Sequence, residues 1–355
     1  MKYSFLGKSD IKVSKICLGT MVFGEQVDYQ ESEKIMDYAI THEVNFFDVA
    51  EVYPVPPKAE TYGRSEEFVG KFLQEHGNRH SVVVATKVAG PSLSGPGRGF
   101  NWIRGGARLS ADHIQRAIDS SLKRLRTDYI DLYQLHWPER KVNIFGAMDY
   151  THVEELGIPL EESLDALERA KQAGKIRLYG VSNETSWGVM QSARISALHG
   201  WQGISTIQNP YNLLNRVFDI QLAEVCLREK ISLLAYSPLA FGVLSGKYLS
   251  GEKNTAWRLF HPSFTAFGNA YTRYSQPHVL EAIREYKKLA NENNMSLTTL
   301  ALAFINERPY LGGTIIGATT LEQVMENISS IDIALTSEIR TALQILHEKY
   351  RNPCP

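Results

Sequence analysis

The sequence has few cysteines, no long hydrophobic run and no excess of charge of either sign. Its cysteines, Cys17, Cys226 and Cys354, are too few and too scattered for a disulfide framework and lack the CxxC spacing of zinc sites. No window of about 18 uninterrupted apolar residues occurs, and the N-terminus lacks the apolar segment of a secretion signal. We therefore expect a cytoplasmic protein without a membrane span or a bound metal.

Charge is almost balanced, with 38 Lys and Arg residues against 39 Asp and Glu residues. This balance argues against nucleic acid or an anionic membrane surface as the main partner, and it favours a small molecule. At 355 residues, of which 43% are hydrophobic, the chain can bury a large core. The length alone permits two modest domains or one large α/β barrel domain.

Short apolar, β-rich runs recur along the chain with amphipathic segments between them. The runs cover residues 15–19, 44–49, 81–87, 129–136, 176–183, 204–209, 231–237 and 313–318. Their near-continuous hydrophobicity is typical of strands buried on both faces, and segments such as 111–125 carry apolar residues at helical spacing. The alternation predicts an α/β fold, a (β/α)₈ TIM barrel, with residues 1–355 forming a single domain.

Further segments predict additions to this barrel. Residues 2–14 read as an N-terminal hairpin that covers the bottom of the barrel. Residues 281–294, 297–309 and 337–350 read as extra C-terminal helices that decorate it. The loops 88–109, 137–159 and 238–275 are long enough to be functional, and the Gly-rich 95–100 reads as loop because it does not join a strand directly to a helix.

Polar residues stand where the apolar runs end. They are Asp48, Lys87, His136, Ser182, Asn183, Gln208, Asn209, Ser237 and, in the last run, Gly317. In a (β/α)₈ barrel all strands end at one face, where active sites are built. The sequence therefore predicts that these residues meet, together with Tyr53 from the loop after Asp48.

Asp48, Tyr53, Lys87 and His136 could form a proton-handling group, with Tyr53 as the acid and His136 near the reacting oxygen. A free phenol has a pKa of about 10, so we expect the Lys87 ammonium to lower the pKa of Tyr53 while Asp48 keeps the lysine charged. Each residue also has an ordinary structural explanation. Asp48 could cap a loop, Tyr53 could pack, Lys87 could end a strand and His136 could lie in the core.

Several stretches, taken in order along the chain, resemble the aldo-keto reductase family. They include "FFDVAEVYPVPPKAETYGRSEEFVG", "ATKV", "SLKRLRTDYIDLYQLHWP", "GKIRLYGVSNET", "IQNPYNLLNR", "LAYSPLAFGVLSGKYL" and "IIGATTLEQVMENI". The resemblance is to the bacterial Tas-like branch, which is also similar to the beta subunits of voltage-gated potassium channels. It implies an NADPH-dependent oxidoreductase that reduces an aldehyde or ketone on a TIM barrel, with Asp48, Tyr53, Lys87 and His136 as its catalytic tetrad.

The same resemblance implies the cofactor contacts. Around the nicotinamide it places Gly19, Thr20, Met21, Asp48, Ser182, Asn183, Gln208 and, stacked on the ring, Tyr236. Along the pyrophosphate and ribose it places Ser237, Leu239, Gly242 and Lys247, and at the adenosine end Gly317, Thr319, Gln323, Glu326 and Asn327.

Cofactor preference is where this chain departs from the family pattern. Aldose-reductase-type members have cations where this chain has Gly317 and Gln323, and those cations would bind the 2′-phosphate of NADPH. We expect NADPH, with NADH less favoured, if Lys247, Arg258 or Arg273 supplies the missing charge.

Substrate choice and competing functions stay open. Phe23, Trp102, Trp137 and Tyr150 could form an aromatic pocket wall. One alternative function is a cofactor-binding partner or regulatory protein with slow redox activity, like the channel subunits. Another is a barrel aldolase that uses Lys87 for a Schiff base, which ranks last because a lysine beside Asp48 stays protonated.

Overall fold

The computed structural model describes residues 1–92, 99–147, 149–154, 157–265 and 273–355. It begins with an antiparallel hairpin, β1 (Tyr3–Phe5) and β2 (Lys12–Ser14). Leu6, Ile11 and Val13 of this segment are buried together with side chains of the barrel interior. The predicted hairpin is confirmed, and it closes the barrel at the end where the strands begin.

A closed barrel of eight parallel strands follows. The strands are β3 (Ile16–Gly19), β4 (Phe46–Asp48), β5 (Val83–Val88), β6 (Ile130–Leu135), β7 (Ile176–Ser182), β8 (Thr206–Pro210), β9 (Ser232–Tyr236) and β10 (Leu311–Ile316). Each pairs with its sequence neighbour, and β10 pairs with β3 to close the ring. The predicted eight-stranded barrel is confirmed, with each predicted run supplying one strand.

Helices cover the outside of the barrel. They are α1 (Tyr29–Thr41), α2 (Arg64–Glu75), α3 (Ala111–Leu125), α4 (Leu160–Gln172), α5 (Ser186–His199), α6 (Phe218–Glu229), α7 (Pro262–Thr265), α8 (Pro277–Glu292), α9 (Leu297–Asn306), α10 (Leu321–Ser329) and α11 (Ser337–Lys349). Several begin at a side-chain cap: Asp28, Ser110 and Thr185 each accept a hydrogen bond from the backbone N–H three residues later. Within the described ranges, no helix combines the length and the apolar character needed to cross a membrane.

The role of α9 corrects one prediction. Residues 297–309 were expected to decorate the barrel, but α9 lies between β9 and β10, packs on β10 and has all ten of its residues buried except Thr299. Two adjacent parallel strands need such a crossover, so α9 is a helix of the barrel itself. The helices α8 and α11 pack on each other outside it, as expected of extra elements. Most of the Gly-rich segment 95–100 lies outside the described residues.

Side chains inside the barrel change from apolar to polar along the strands. The lower levels hold Cys17, Phe46, Ala85, Leu132 and Leu234. Two residues further along their strands stand Gly19, Asp48, Lys87, Gln134 and Tyr236. Because strand residues alternate between faces, these point to the same interior one level higher. The polar level at the strand ends forms the floor of the candidate site.

Candidate active site

Lys87 lies at the centre of the polar level, with its side chain fully buried. Its Nζ donates to Asp48 Oδ2 at 2.7 Å and to the Val49 carbonyl at 2.8 Å, and it lies 3.4 Å from the Tyr53 hydroxyl. Parallel pairing explains the meeting of Lys87 and Asp48, since Asp48 pairs with Ala85, two residues before Lys87. The structure thus brings together three of the four residues predicted for proton handling.

The loop after β4 positions Tyr53. Its backbone N–H donates to the Ala50 carbonyl at 3.1 Å, and its own carbonyl accepts from the Gly63 N–H at 2.8 Å, at the start of α2. The side chain packs in a small apolar cluster with Val52, Ala89 and other residues of the neighbouring loops. The phenol is therefore held beside the lysine by loop hydrogen bonds as well as by packing.

The electrostatics of Tyr53 differ from the sequence prediction. Burial raises the pKa of Tyr53 above its ordinary value, and Lys87 opposes that shift without reversing it. Burial acts to lower the pKa of Lys87, but Asp48 and Tyr53 beside it raise it above its ordinary value. The expected net lowering of the Tyr53 pKa is wrong, because desolvation of a phenolate in this closed pocket outweighs the nearby ammonium. Tyr53 is a protonated phenol beside a charged lysine.

His136 completes the group at the end of β6. Its ring meets the Tyr53 ring edge-on, with centroids 5.7 Å apart and an interplanar angle of 81°. Burial, with Lys87 as a second cause, lowers the pKa of His136 well below its ordinary value. Its Nδ1 is buried and has no hydrogen-bond partner among the described residues. His136 is therefore a neutral imidazole next to the phenol.

Amide side chains from β7 and β8 join this group. Gln208 Nε2 donates to Asp48 Oδ1 at 2.8 Å. Asn183 Nδ2 donates to the His136 carbonyl at 2.8 Å, and Asn183 Oδ1 accepts from the Tyr236 hydroxyl at 2.7 Å. Three of the residues predicted to surround a nicotinamide thus form one network with the tetrad.

The other predicted nicotinamide neighbours lie at the same rim. Ser182 Oγ donates to the Gln208 carbonyl at 2.8 Å. Thr20 Oγ1 donates to the Asp48 carbonyl at 3.0 Å, so its hydroxyl serves the backbone of the site. Gly19 ends β3 in register with Asp48, and the Met21 carbonyl accepts from the Val55 N–H at 3.0 Å, which anchors the Tyr53 loop.

The loop after β9 contains the predicted pyrophosphate residues. Ser237 and Gly242 have positive φ angles of 51° and 92°, and Leu239 stands between them before a short 3₁₀ helix. A Cβ on Gly242 would lie 3.8 Å from Lys247 Nζ, so the loop folds back beside this lysine. Burial and then Arg258 lower the pKa of Lys247. Its Nζ lies over the rings of Tyr248 and Trp257, and no carboxylate pairs with it in the described part of the chain. A cation in this setting suits an anionic ligand.

The predicted adenosine residues surround the start of α10. Thr320 caps the helix by accepting from the Gln323 N–H, and Gln323 Oε1 accepts from the Thr319 N–H at 3.0 Å. Gly317 borders open space, with no atom within 4 Å of an added Cβ. Two of the predicted residues already have structural roles: Glu326 accepts a hydrogen bond from Ser296 at 2.6 Å, and Asn327 is buried.

The aromatic wall is only partly as predicted. Trp137 is buried with Tyr53 in one cluster, and Trp102 packs against that cluster. Phe23 is 1% exposed in the main core, and Tyr150 is 62% exposed with its hydroxyl on His152. The prediction is wrong for Phe23 and Tyr150, because the first is buried in the main core and the second faces solvent.

Sequence reasoning missed a group of buried acids and arginines behind the site. Glu51 pairs with Arg104 and accepts from the Ala89 N–H at 2.9 Å, which ties the loop after β5 to the loop after β4. Glu66 of α2 accepts from Arg124 Nε at 2.6 Å. Their spacing in the sequence gives no signal, since each pair joins segments more than fifty residues apart.

Sequence comparison finds relatives that align with nearly the whole chain. A model of the aldo/keto reductase family matches residues 15–348. The chain is 41% identical to protein Tas of Escherichia coli (strain K12), with 100% of both chains covered. It is 32% identical to the uncharacterized oxidoreductase YrpG of Bacillus subtilis (strain 168), covering 99% of this chain and 97% of that one. It is 30% identical to a probable voltage-gated potassium channel subunit beta of Arabidopsis thaliana, covering 99% of each.

These matches confirm the resemblance drawn from the sequence motifs, because they extend over nearly the whole chain. The chain therefore belongs to the aldo/keto reductase family and is a carbonyl-reducing oxidoreductase.

Proposed function

We propose that this enzyme uses NADPH to reduce an aldehyde or ketone to an alcohol, with Tyr53 as the general acid. The observation that carries the proposal is the buried Lys87 ammonium, which contacts the Asp48 carboxylate and the Tyr53 hydroxyl at once. Burial keeps the phenol protonated in the resting state. The ammonium offers a cation to the phenolate that forms when the proton leaves.

The residues around the tetrad fit a nicotinamide. Gln208 contacts Asp48 and Gln134 through its Nε2, and its Oε1 accepts no hydrogen bond from the described residues. It is therefore available to a carboxamide, alongside Ser182 and Asn183, while Tyr236 offers a ring for stacking. When bound, the nicotinamide supplies the hydride, which goes to the carbonyl carbon.

The protein's own part is to place the carbonyl oxygen and to deliver a proton. Tyr53 donates its phenolic proton to the oxygen as the C–H bond forms, and Lys87 stabilises the phenolate left behind. His136, being neutral, orients the oxygen by hydrogen bonding without adding a charge. The hydride on the carbon and the proton on the oxygen together convert the carbonyl to an alcohol.

The preference for NADPH rests on the cations of the loop after β9. Lys247 has no carboxylate partner among the described residues, and Arg258 lies close enough to lower the pKa of Lys247. We assign the 2′-phosphate to these two rather than to Arg273, whose guanidinium lies against Gly146 of another loop. NADH lacks this phosphate and is expected to bind more weakly.

Residues 1–355 are proposed to work as one domain, in the cytoplasm, on a small-molecule carbonyl compound. No nucleic acid, membrane or metal is part of the proposal. Among the described residues, no group of three potential metal ligands occurs.

The test is to follow NADPH absorbance with a panel of aromatic, aliphatic and dicarbonyl compounds, and to repeat it with NADH. We expect turnover with some of the panel and a higher kcat/KM with NADPH. Tight cofactor binding without turnover would favour the partner-protein alternative. The aldolase alternative lacks support, because Lys87 Nζ donates to Asp48 and to the Val49 carbonyl, and these contacts favour the ammonium over the neutral amine that a Schiff base needs.

A further inference from the structure

Gln134 is a fully buried amide that the proposed mechanism does not yet use. It lies on β6, two residues before His136, and pairs in register with Lys87 on one side and with Gly180 on the other. Its side chain shares the barrel interior with Asp48 and Gln208. Burying an amide at this level costs free energy unless hydrogen bonds offset its desolvation.

The Gln208 amide makes such a hydrogen bond with Gln134. Its Nε2 donates to Asp48 Oδ1 at 2.8 Å and lies 3.4 Å from Gln134 Oε1. Because a carboxylate only accepts hydrogen bonds, the NH₂ end of Gln208 must face Asp48. The amide has two N–H groups, and Gln134 Oε1 accepts the second one. The opposite end of the amide, Oε1, then has a fixed direction.

We infer that Gln134 is a positioning residue, which holds the Gln208 amide with its NH₂ on Asp48 and its carbonyl oxygen towards the cofactor's carboxamide. This inference rests on the proposed function. Gln134 thereby links the nicotinamide site to the Asp48–Lys87 ion pair, although it touches neither cofactor nor substrate.

The surroundings of Gln134 leave Gln208 as the partner that sets its orientation. The Nε2 of Gln134 has no hydrogen-bond partner in the described part of the chain. The same holds for Thr206 Oγ1, which lies on the next strand beyond Gly180 at the same level of the barrel. Gly180 gives room for this arrangement, because a Cβ there would lie 2.2 Å from Thr206 Oγ1. If the Gln134 amide were reversed, two NH₂ groups would face each other. Thr206 is a matched control, since it is as buried as Gln134 but its hydroxyl makes no hydrogen bond to Gln208 among the described residues.

The test compares NADPH dissociation constants, measured by tryptophan fluorescence, for the parent, Gln134→Leu and Gln134→Met. Both variants remove the acceptor and leave a Gln208 N–H buried without a partner. We expect NADPH binding to weaken about tenfold in each, with the KM for the carbonyl substrate within twofold of the parent. The Met variant keeps the unbranched length of Gln134, so it covers the case in which the Leu variant folds poorly.

Two further variants separate positioning from general packing. Gln134→Glu keeps an oxygen that can accept from the Gln208 N–H in either protonation state, so it is expected to restore most of the affinity. Thr206→Val should bind NADPH as the parent does. Equal NADPH affinity in the parent and in both apolar variants would overturn the inference about Gln134 but not the proposed function. A parent that does not bind NADPH would overturn the proposed function and the inference together.

Discussion

Lys87 is a charged side chain that solvent does not reach, and its charge depends on one carboxylate. Asp48 is 2% exposed, so neither partner is compensated by water. Removing such a pair from water is costly, and the loss of either partner leaves the other charge buried without compensation. At the scale of single residues, the ion pair therefore contributes to folding as well as to the proposed chemistry.

Replacing Lys87 by methionine should destabilise the protein by about 3–5 kcal/mol, because Asp48 is left buried without its counter-ion. The measurement is the free energy of unfolding by urea. Arg228→Met is the control, since Arg228 and Glu224 form an exposed ion pair with side chains 75% and 71% accessible, and its loss should cost less than about 1 kcal/mol. Equal effects of the two substitutions would contradict the account of the buried pair.

The pH dependence of reduction follows from the same residues. Tyr53 is an acid only when protonated, and because burial raises its pKa above the ordinary value of a phenol, it keeps its proton throughout the neutral pH range. His136 is neutral above its pKa, which is lowered well below 6.5. We therefore expect the pH profile of kcat to show no inflection from Tyr53 or His136 in the neutral pH range. An inflection of kcat near pH 6.5 would contradict the assignment of His136 as neutral.

At the scale of elements, the contact between α2 and α3 depends on a glycine. A Cβ on Gly70 would lie 2.4 Å from the carbonyl oxygen of Arg124 and 2.6 Å from backbone atoms of Leu125. In an exposed helix, Gly→Ala would stabilise by about 1 kcal/mol. Here the added methyl group would clash with backbone atoms of α3, so the substitution should lower the stability instead of raising it.

Gly70→Ala should therefore destabilise the protein by about 1–3 kcal/mol, the usual range for overpacking. Thermal and urea unfolding check this. Gly317→Ala is the matched control, because its added methyl enters open space and its stability should stay near that of the parent. A Gly70→Ala protein as stable as the parent would mean that α2 and α3 are less tightly apposed.

The loop after β9 is the element that should select the cofactor. Lys247→Met is expected to weaken NADPH binding about tenfold through loss of a charge-assisted contact, and to weaken NADH binding less. Lys253→Met, which changes an exposed lysine of the same loop, should affect neither. Unchanged NADPH affinity in Lys247→Met would remove this lysine from phosphate recognition.

At the scale of the whole molecule, the barrel could be predicted because its eight strands are almost entirely buried on both faces. Runs such as 81–87 are continuous in hydrophobicity, and their ends mark the level at which polar residues begin. Once eight such runs form one barrel, topology places Asp48, Lys87 and His136 at one rim. The meeting of these residues follows from connectivity alone.

Other features depend on three-dimensional contacts that no local pattern contains. The crossover role of α9 depends on which strands are neighbours, and the burial of Phe23 depends on the distant residues that pack around it in the main core. The direction of the Tyr53 pKa shift depends on the balance of desolvation against one ammonium. Gln134 reads as a strand residue in "LYQLH", and its partner Gln208 lies 74 positions away.

The central claim, that Tyr53 is the general acid of carbonyl reduction, is tested most directly by the kcat of Tyr53→Phe with NADPH and a carbonyl substrate. A phenyl ring packs as the phenol does but has no proton to give, so kcat should fall by about 10²–10⁴-fold, with the NADPH dissociation constant within twofold of the parent. Turnover equal to that of the parent would contradict the claim.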